Sequence, residues 1–162
     1  MSNEIPGVFY DDPKMSSEDL DKIVIFSENE CKNNWTEYVS EISGHFMQMA
    51  NDEWPSIIVD GNNCWYRWVD DWNDDDYSQF SAKLRCLNIP GKSVLYIFWM
   101  KEVGLKTTWE VFCKNWGNFL YEDEGCILVL PDFTDALVLS NGSAWFGKRG
   151  TPKTSHIGTH NV

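Results

Sequence analysis

The 162-residue chain lacks most of the residues that would announce a chemistry. It has only three histidines, His45, His156 and His160, which leaves little for a His-based triad or a metal centre. It has no run of about 18 apolar residues to span a membrane. Its first 20 residues carry neither the basic start nor the apolar run of a signal peptide. Cysteine pairing is missing too. Cys31, Cys64, Cys86, Cys113 and Cys126 are odd in number and contain no CxxC spacing. Cys31, Cys113 and Cys126 sit inside apolar patterns, where a free thiol acts as a small hydrophobe. A reducing cytoplasm is the expected location. Bases are scarce, 13 Lys and Arg against 25 Asp and Glu, for a net charge of −12. A phosphate backbone would be repelled, which argues against direct nucleic-acid binding.

Aromatic side chains are plentiful. They form 15% of the chain and include nine tryptophans. Each buried ring removes about 150–250 Å² from water. A chain of this length therefore builds one domain whose core needs neither disulfide nor metal. Charge is divided unevenly along it. Residues 1–76 hold 18 acids and 4 bases, net −14, while residues 77–162 hold 7 acids and 9 bases, net +2. An acidic first half serves solubility, and it also steers a basic partner.

The order of elements follows from punctuation and periodicity. Residues 1–15 contain Pro6, Gly7 and Pro13 and predict an irregular arm. Ser16 or Ser17 caps a short helix from Glu18 to about Val24. Ser27-Glu-Asn-Glu30 is a capping box. It opens a helix with Cys31, Trp35, Tyr38, Val39 and Ile42 on one face and Gly44 at its end. Asp52-Glu-Trp-Pro55 predicts a turn, because Pro55 disfavours helical backbone at Trp54. Ser56–Asp60 then suits a short strand. Trp65, Trp68 and Trp72, spaced 3 and 4 apart, fit a helix face or a wrapped aromatic cluster. Asp76 caps a helix from Tyr77 to Leu87. Val94–Trp99, apolar throughout and following the Pro90-Gly91 turn, predicts a central strand buried on both faces. Thr107-Thr-Trp-Glu110 is a second capping box. Trp109, Phe112, Cys113 and Trp116 form the stripe of its helix, and Gly117 ends it. After the acidic turn Tyr121–Gly125 come strands over Cys126–Leu130, Ala136–Leu139 and Ser143–Phe146. Asn141-Gly142 makes the last two a hairpin, since both residues tolerate positive φ. The fold class is α+β: a single domain over residues 1–147 with helices packed on a mainly antiparallel sheet. Lys148–Val162 is polar and aperiodic and is expected to be a mobile tail.

Candidate chemistry is thin. His45 follows Gly44 at an expected helix end, a structural position more often than a catalytic one. His156 and His160 are four apart, but the glutamate of a helical HExxH motif is replaced by Ile157, and Gly158 weakens the helix. No metal and no cofactor are expected. Asp70, Asp71, Asp74, Asp75 and Asp76 lack the glycine and the closing glutamate of a calcium loop. Glu122, Asp123 and Glu124 read first as a polar turn. No glycine-rich loop cradles a phosphate: Gly147 and Gly150 flank Lys148 and Arg149 without opening a helix.

The run Thr107-Thr-Trp-x-x-Phe112-x-x-x-Trp116-x-Asn118-Phe-Leu-x-x-Asp123-Glu-Gly125 resembles an uncharacterised family of short, tryptophan-rich bacterial proteins. The Asp52-Glu-Trp-Pro55 turn and the strand before Thr107 are similar as well, so the resemblance spans residues 16–147. That family has no assigned activity, and the resemblance carries over no catalytic residue. Size, acidity and aromatic content are also similar to those of bacterial immunity proteins. These are acidic cytoplasmic domains that mask a toxin.

The expected function is therefore a non-enzymatic binding protein, most concretely an immunity-type inhibitor of a basic bacterial toxin. The expected contact residues are Trp65, Trp68, Asp70, Asp71, Trp72, Asp74, Asp75 and Asp76, with Glu122, Asp123 and Glu124 second. Exposed tryptophan would anchor the partner and carboxylates would meet its Lys and Arg. The alternatives are a small-molecule enzyme, with an aromatic pocket and a general base from Glu122–Glu124, and a structural subunit with a large apolar patch.

Overall fold

The computed structural model describes residues 15–61, 64–120 and 126–152. Its strands are β1 (Val24–Ile25), β2 (Val94–Met100), β3 (Val103–Thr108), β4 (Cys126–Val129), β5 (Asp135–Ser140) and β6 (Ser143–Lys148). They form one sheet in the order β1-β3-β2-β4-β5-β6, with every pairing antiparallel. The helices are α1 (Ser17–Leu20), α2 (Glu28–Tyr38), α3 (Trp54–Gly61), α4 (Trp68–Asp74), α5 (Ser78–Arg85) and α6 (Trp109–Phe119), with a 3-10 turn at Phe46–Gln48. The expected α+β class is what forms: a single domain with helices on an antiparallel sheet.

Both faces of the sheet are covered. On one face Leu95, Ile97, Trp99, Leu105, Leu128 and Leu137 pack with Phe80 and Leu84 of α5 and Trp109, Phe112 and Trp116 of α6. On the other, Phe98, Ile127, Val129, Ala136 and Val138 pack with Cys31 and Trp35 of α2 and Trp54 and Ile58 of α3. Strand β2 lies between β3 and β4 and feeds both layers, which is why it carries no polar alternation. The β5–β6 hairpin turns at Asn141 (φ 53°) and Gly142 (φ 77°), both left-handed as the Asn-Gly pair requires. No helix among the described residues is long and apolar enough to cross a membrane.

The capping box at Ser27 forms in full. Its hydroxyl accepts from the Glu30 amide at 3.2 Å, and Glu30 accepts from the Ser27 amide at 2.9 Å. Substituting Ser27→Ala is expected to destabilise the protein by about 1 kcal/mol, seen as a lower urea midpoint at unchanged slope. No shift of the midpoint would mean that α2 is held by packing alone.

Several elements differ from expectation, each for a tertiary reason. Helix α1 stops at Leu20, and Val24 and Ile25 instead pair with Lys106 and Leu105 at the sheet edge. Helix α2 stops at Tyr38 rather than near Gly44, and Ile42 is about half exposed instead of joining the buried face. The strand expected at Ser56–Asp60 is helix α3. Pro55 sits in its first turn, where its missing N–H costs little. Trp54 Nε1 donates to the Tyr38 carbonyl and Ile58 packs at Gly147, so the helix seats against α2 and β6. Strand β3 has no clear signal in the sequence, because Val103-Gly-Leu-Lys-Thr-Thr108 has weak periodicity; β2 supplies its pairing.

The second cap is shifted by one residue. Thr108, not Thr107, caps α6 and accepts from the Val111 amide, while Glu110 turns to Arg85 at 2.8 Å. Thr107 is still in β3, with its hydroxyl buried and without a hydrogen-bond partner. Gly117 does not end the helix, which runs on to Phe119. A Cβ at Gly117 would stand 2.9 Å from the Tyr77 ring, so the glycine lets α5 and α6 approach. Strand β6 runs through Lys148, which pairs with Asp135. Arg149 then donates to the Phe133 and Pro131 carbonyls. Of the expected tail, residues 153–162, including His156 and His160, lie outside the described residues.

The five cysteines are free. Cys31, Cys113 and Cys126 are buried, and burial raises all three thiols, Cys31 and Cys113 to about 12. They stay protonated and apolar at neutral pH.

Candidate functional site

The segment from Trp65 to Asp76 is held by the β5–β6 hairpin. The Trp65 and Tyr66 amides donate to the Ala144 carbonyl at 2.8 and 3.2 Å, and the Ala144 amide returns a bond to the Tyr66 carbonyl at 2.8 Å. The Val69 amide donates to the Gly142 carbonyl at 3.1 Å. A Cβ on Gly142 would come within 2.6 Å of Val69 Cβ, so this turn is glycine both for its φ and for α4 to dock.

That docking divides the expected contact residues. Trp68 points inward at 4% exposure, and its Nε1 donates to the Ser143 carbonyl at 3.2 Å. Asp71, 5% exposed, is also inside. Its carboxylate accepts from the Tyr66 hydroxyl at 2.9 Å and from the Phe80 amide at 2.9 Å, tying α4 to the start of α5. Burial, and then the Asp71 carboxylate, push the Tyr66 hydroxyl up to about 12. Trp65 is half-buried between Phe80 and Phe146, with Lys83 Nζ 5.2 Å from its ring centre. Trp68 and Asp71 thus offer no surface to a partner.

The rest of the segment faces solvent. Trp72 is 36% exposed, and Asp70, Asp74, Asp75 and Asp76 are exposed. Trp72 is not a loose side chain. Its inner edge rests on Trp68, Tyr77 and Trp116, with ring centres 6.0, 6.1 and 6.4 Å away. Asp75 closes α4 in the left-handed conformation (φ 57°, ψ 36°). Asp76 accepts from the Ser78 hydroxyl and amide and from Gln79 Nε2, and these bonds hold its carboxyl below the usual range. The four described ion pairs, Lys32–Glu28, Arg85–Glu110, Lys114–Asp19 and Lys148–Asp135, involve none of these aspartates. Among the described residues, the exposed aspartates of this segment thus have no ion-pair partner, and a supported indole lies in the same segment. Glu122, Asp123 and Glu124 lie outside the described residues, and with them the general base of the enzyme alternative.

Two features have no signature in the sequence. Glu53 is 1% exposed and gathers the loop between α2 and α3. Its oxygens accept from Ser40 Oγ at 2.5 Å, Ser43 Oγ at 2.6 Å and the Ala50 amide at 3.0 Å. Ser40 Oγ in turn accepts from the Ile42 and Ser43 amides. A glutamate ten and thirteen residues after two serines has no distinctive spacing, so nothing in the sequence pointed to it. The other is a pair of hollows beside α5 and α6. Among the described residues, one of about 560 Å³ is lined by Tyr77, Ser78, Ser81, Ala82, Arg85 and Lys114. One of about 440 Å³ is lined by Lys22, Gly91, Lys92, Thr108 and Glu110. Neither lining includes a tryptophan. A groove between two helices has no signature in the spacing of either one, so nothing in the sequence marks Tyr77, Ala82 and Arg85 beyond their place in a helix. His45 accepts from the Met47 amide through Nδ1 and caps the 3-10 turn.

Comparison with known proteins adds a family. No curated protein and no solved structure matches the chain. A family model described as "Protein of unknown function (DUF2947)" matches residues 7–147, a span that takes in the whole sheet except its last residue, Lys148, and every helix. The chain belongs to this family, DUF2947.

Proposed function

We propose that this chain is a non-enzymatic protein-binding module that meets a basic partner through the exposed side of α4. The observation that carries the reading is Trp72. It is one-third exposed, braced by three buried or half-buried rings, and belongs to the same short segment as the exposed Asp70, Asp74, Asp75 and Asp76. A braced indole offers contact area at little conformational cost, and tryptophan is enriched among residues that dominate binding energy. Aspartates with no ion pair among the described residues set the sign of the partner and speed its approach. The contact set is narrower than the sequence suggested, because Trp68 and Asp71 are spent on packing.

The most concrete form of this reading is an immunity-type inhibitor of a basic bacterial toxin. It rests on the acidity of the ridge and on the size of the chain. Trp72→Ala and the combined Asp70→Asn, Asp74→Asn and Asp75→Asn variant separate anchor from charge. Immobilised wild-type chain is expected to retain a basic protein from its host, and each variant to lose at least tenfold in affinity. The charge variant loses the salt dependence as well. The captured protein, expressed alone, is expected to be toxic and to be neutralised by this chain. A partner that binds both variants as well as wild type, or that shows no salt dependence, would remove the proposal. A basic but harmless partner would remove only the toxin form of it.

A further inference from the structure

Helices α5 and α6 lie antiparallel, in a register set by three contacts. The Tyr77 ring meets Gly117, Ser81 Oγ donates to the Cys113 carbonyl at 2.5 Å, and Arg85 Nη2 meets Glu110 Oε2 at 2.8 Å. Beside this seam runs the 560 Å³ hollow. Ser78, Ser81, Ala82 and Arg85 follow i, i+3, i+4, i+7 spacing and form one wall, about 10 Å long at 1.5 Å per residue. Lys114 forms the opposite wall. The register places it level with Ser78 and Ser81. Tyr77 closes one end, its ring held 5.0 Å from that of Trp116, and Arg85 stands at the other. The volume lies within the ~300–1,000 Å³ that small-molecule sites occupy.

The charge of the hollow opposes that of the chain. No carboxylate is among its described lining residues, in a protein of net charge −12. Arg85 and Lys114 each hold a partner, yet neither is exhausted. A guanidinium has five N–H donors, and the bond to Glu110 comes from Nη2 alone. Glu110 lines the neighbouring 440 Å³ hollow, so it takes Arg85 from outside this one. Lys114 has three donors and meets Asp19 at 3.2 Å. Asp19 is nearly buried and also accepts from Asn115 Nδ2 at 3.0 Å. Burial works to raise its carboxyl, but Asn115, Lys114 and Ser16 together hold it below the usual range, so it stays an anionic anchor for the lysine. Both cations are therefore held by carboxylates that are not among the described lining residues, and the described bonds use only part of their donors. Ser78 and Ser81, which line the hollow, spend their hydrogens on Asp76 and Cys113 and keep lone pairs that can accept.

We infer that this hollow is a small-molecule site for a ligand bearing an oxyanion and a flat ring. The oxyanion sits between Arg85 and Lys114, and the ring lies against Tyr77. Arg85 supplies a planar fork and Lys114 a point charge, the two complementary ways to hold such a group. Ligand hydroxyls between them donate to Ser78 and Ser81. The site is separate from the α4 ridge, although Tyr77 touches both.

The full chain is titrated with phenyl phosphate, with benzoate and with phenol, and backbone amide shifts are followed by NMR. Saturable shifts confined to residues 77–85 and 110–117 are expected with an anionic probe. The tighter of the two anions identifies phosphate or carboxylate as the preferred group. Arg85→Gln removes an exposed ion pair that contributes little to folding, Lys114→Gln leaves the nearly buried Asp19 to Asn115 and Ser16, and each is expected to weaken the anionic probe roughly tenfold. Ala82→Trp, at an exposed helix position, fills the hollow while leaving both cations, and is expected to abolish the shifts. Shifts that never saturate, that survive Ala82→Trp, or that phenol produces as well as the anions would each overturn the inference.

Discussion

Trp116→Ala is expected to cost about 3–5 kcal/mol, the range for removing a large aromatic from a core. The side chain is fully buried. Phe80, Tyr77, Trp68 and Trp72 surround it with ring centres 4.9, 5.0, 6.1 and 6.4 Å away. Its Nε1 also donates to the Tyr77 carbonyl at 2.9 Å, so truncation leaves both a cavity and an acceptor without its donor. For a domain of this size such a loss lowers the melting temperature by about 6–20 °C. Trp116→Phe keeps much of the ring and loses the N–H, and a smaller loss is expected. Urea unfolding measures both. Because Trp116 also braces Trp72, the alanine variant is expected to soften the α4 ridge, seen as a red shift of native-state tryptophan emission. A loss under about 1 kcal/mol would show that the neighbouring rings collapse into the space.

Glu53→Ala is expected to be the most damaging change to a polar residue. It would strip a hydrogen-bond partner from Ser40 Oγ, Ser43 Oγ and the Ala50 amide together. Hydrogen bonds to a charged group contribute about 1.5–3 kcal/mol, and each buried group left unpaired adds a desolvation penalty. A loss of about 3 kcal/mol or more follows. Glu53→Gln is informative because it preserves shape. An amide nitrogen facing Ser40 would meet a hydroxyl that already accepts from two amides, so one of its hydrogens finds no acceptor. The glutamine variant is therefore expected to be destabilised as well, by about 1–3 kcal/mol. Hydrogen exchange is expected to quicken over residues 40–53 before the sheet. If Glu53→Gln matched wild type in stability, the network would be passive filler rather than the tie that shapes this loop.

Legibility in the sequence followed distance along the chain. The capping box at Ser27 uses partners three residues apart, and it forms as read. Asn141-Gly142 needs only its own backbone preference and makes the expected turn. The apolar run of β2 announces burial on both faces, which the two core layers provide. The capping box at Thr107 shows the limit of the same reasoning. Its pattern is local, yet β3 claims Thr107 and Arg85 claims Glu110 from another helix. A pairing across 25 residues outcompeted one across three.

The candidate site divides the same way. Composition marked Trp65–Asp76 as aromatic and acidic, but spacing did not separate the members that face inward. Trp68 and Trp72 sit four apart on one helix, and only their neighbours decide that Trp68 meets Ser143 while Trp72 reaches solvent. Among the aspartates, Asp71 alone of the run lies over Tyr66 and the Phe80 amide.

By itself the sequence determined that this is one α+β domain with an aromatic core, a doubly buried central strand, an asparagine-glycine hairpin and an acidic first half. These follow from preferences a residue carries anywhere, or from partners within one turn of it. The tertiary structure alone decided that Trp54–Gly61 is a helix, that Gly117 is a contact point rather than a stop, that Glu53 is a buried hub, and which side of α4 meets water. Each depends on surfaces brought together from distant parts of the chain. A carboxylate or an indole has no intrinsic inside or outside until those surfaces meet.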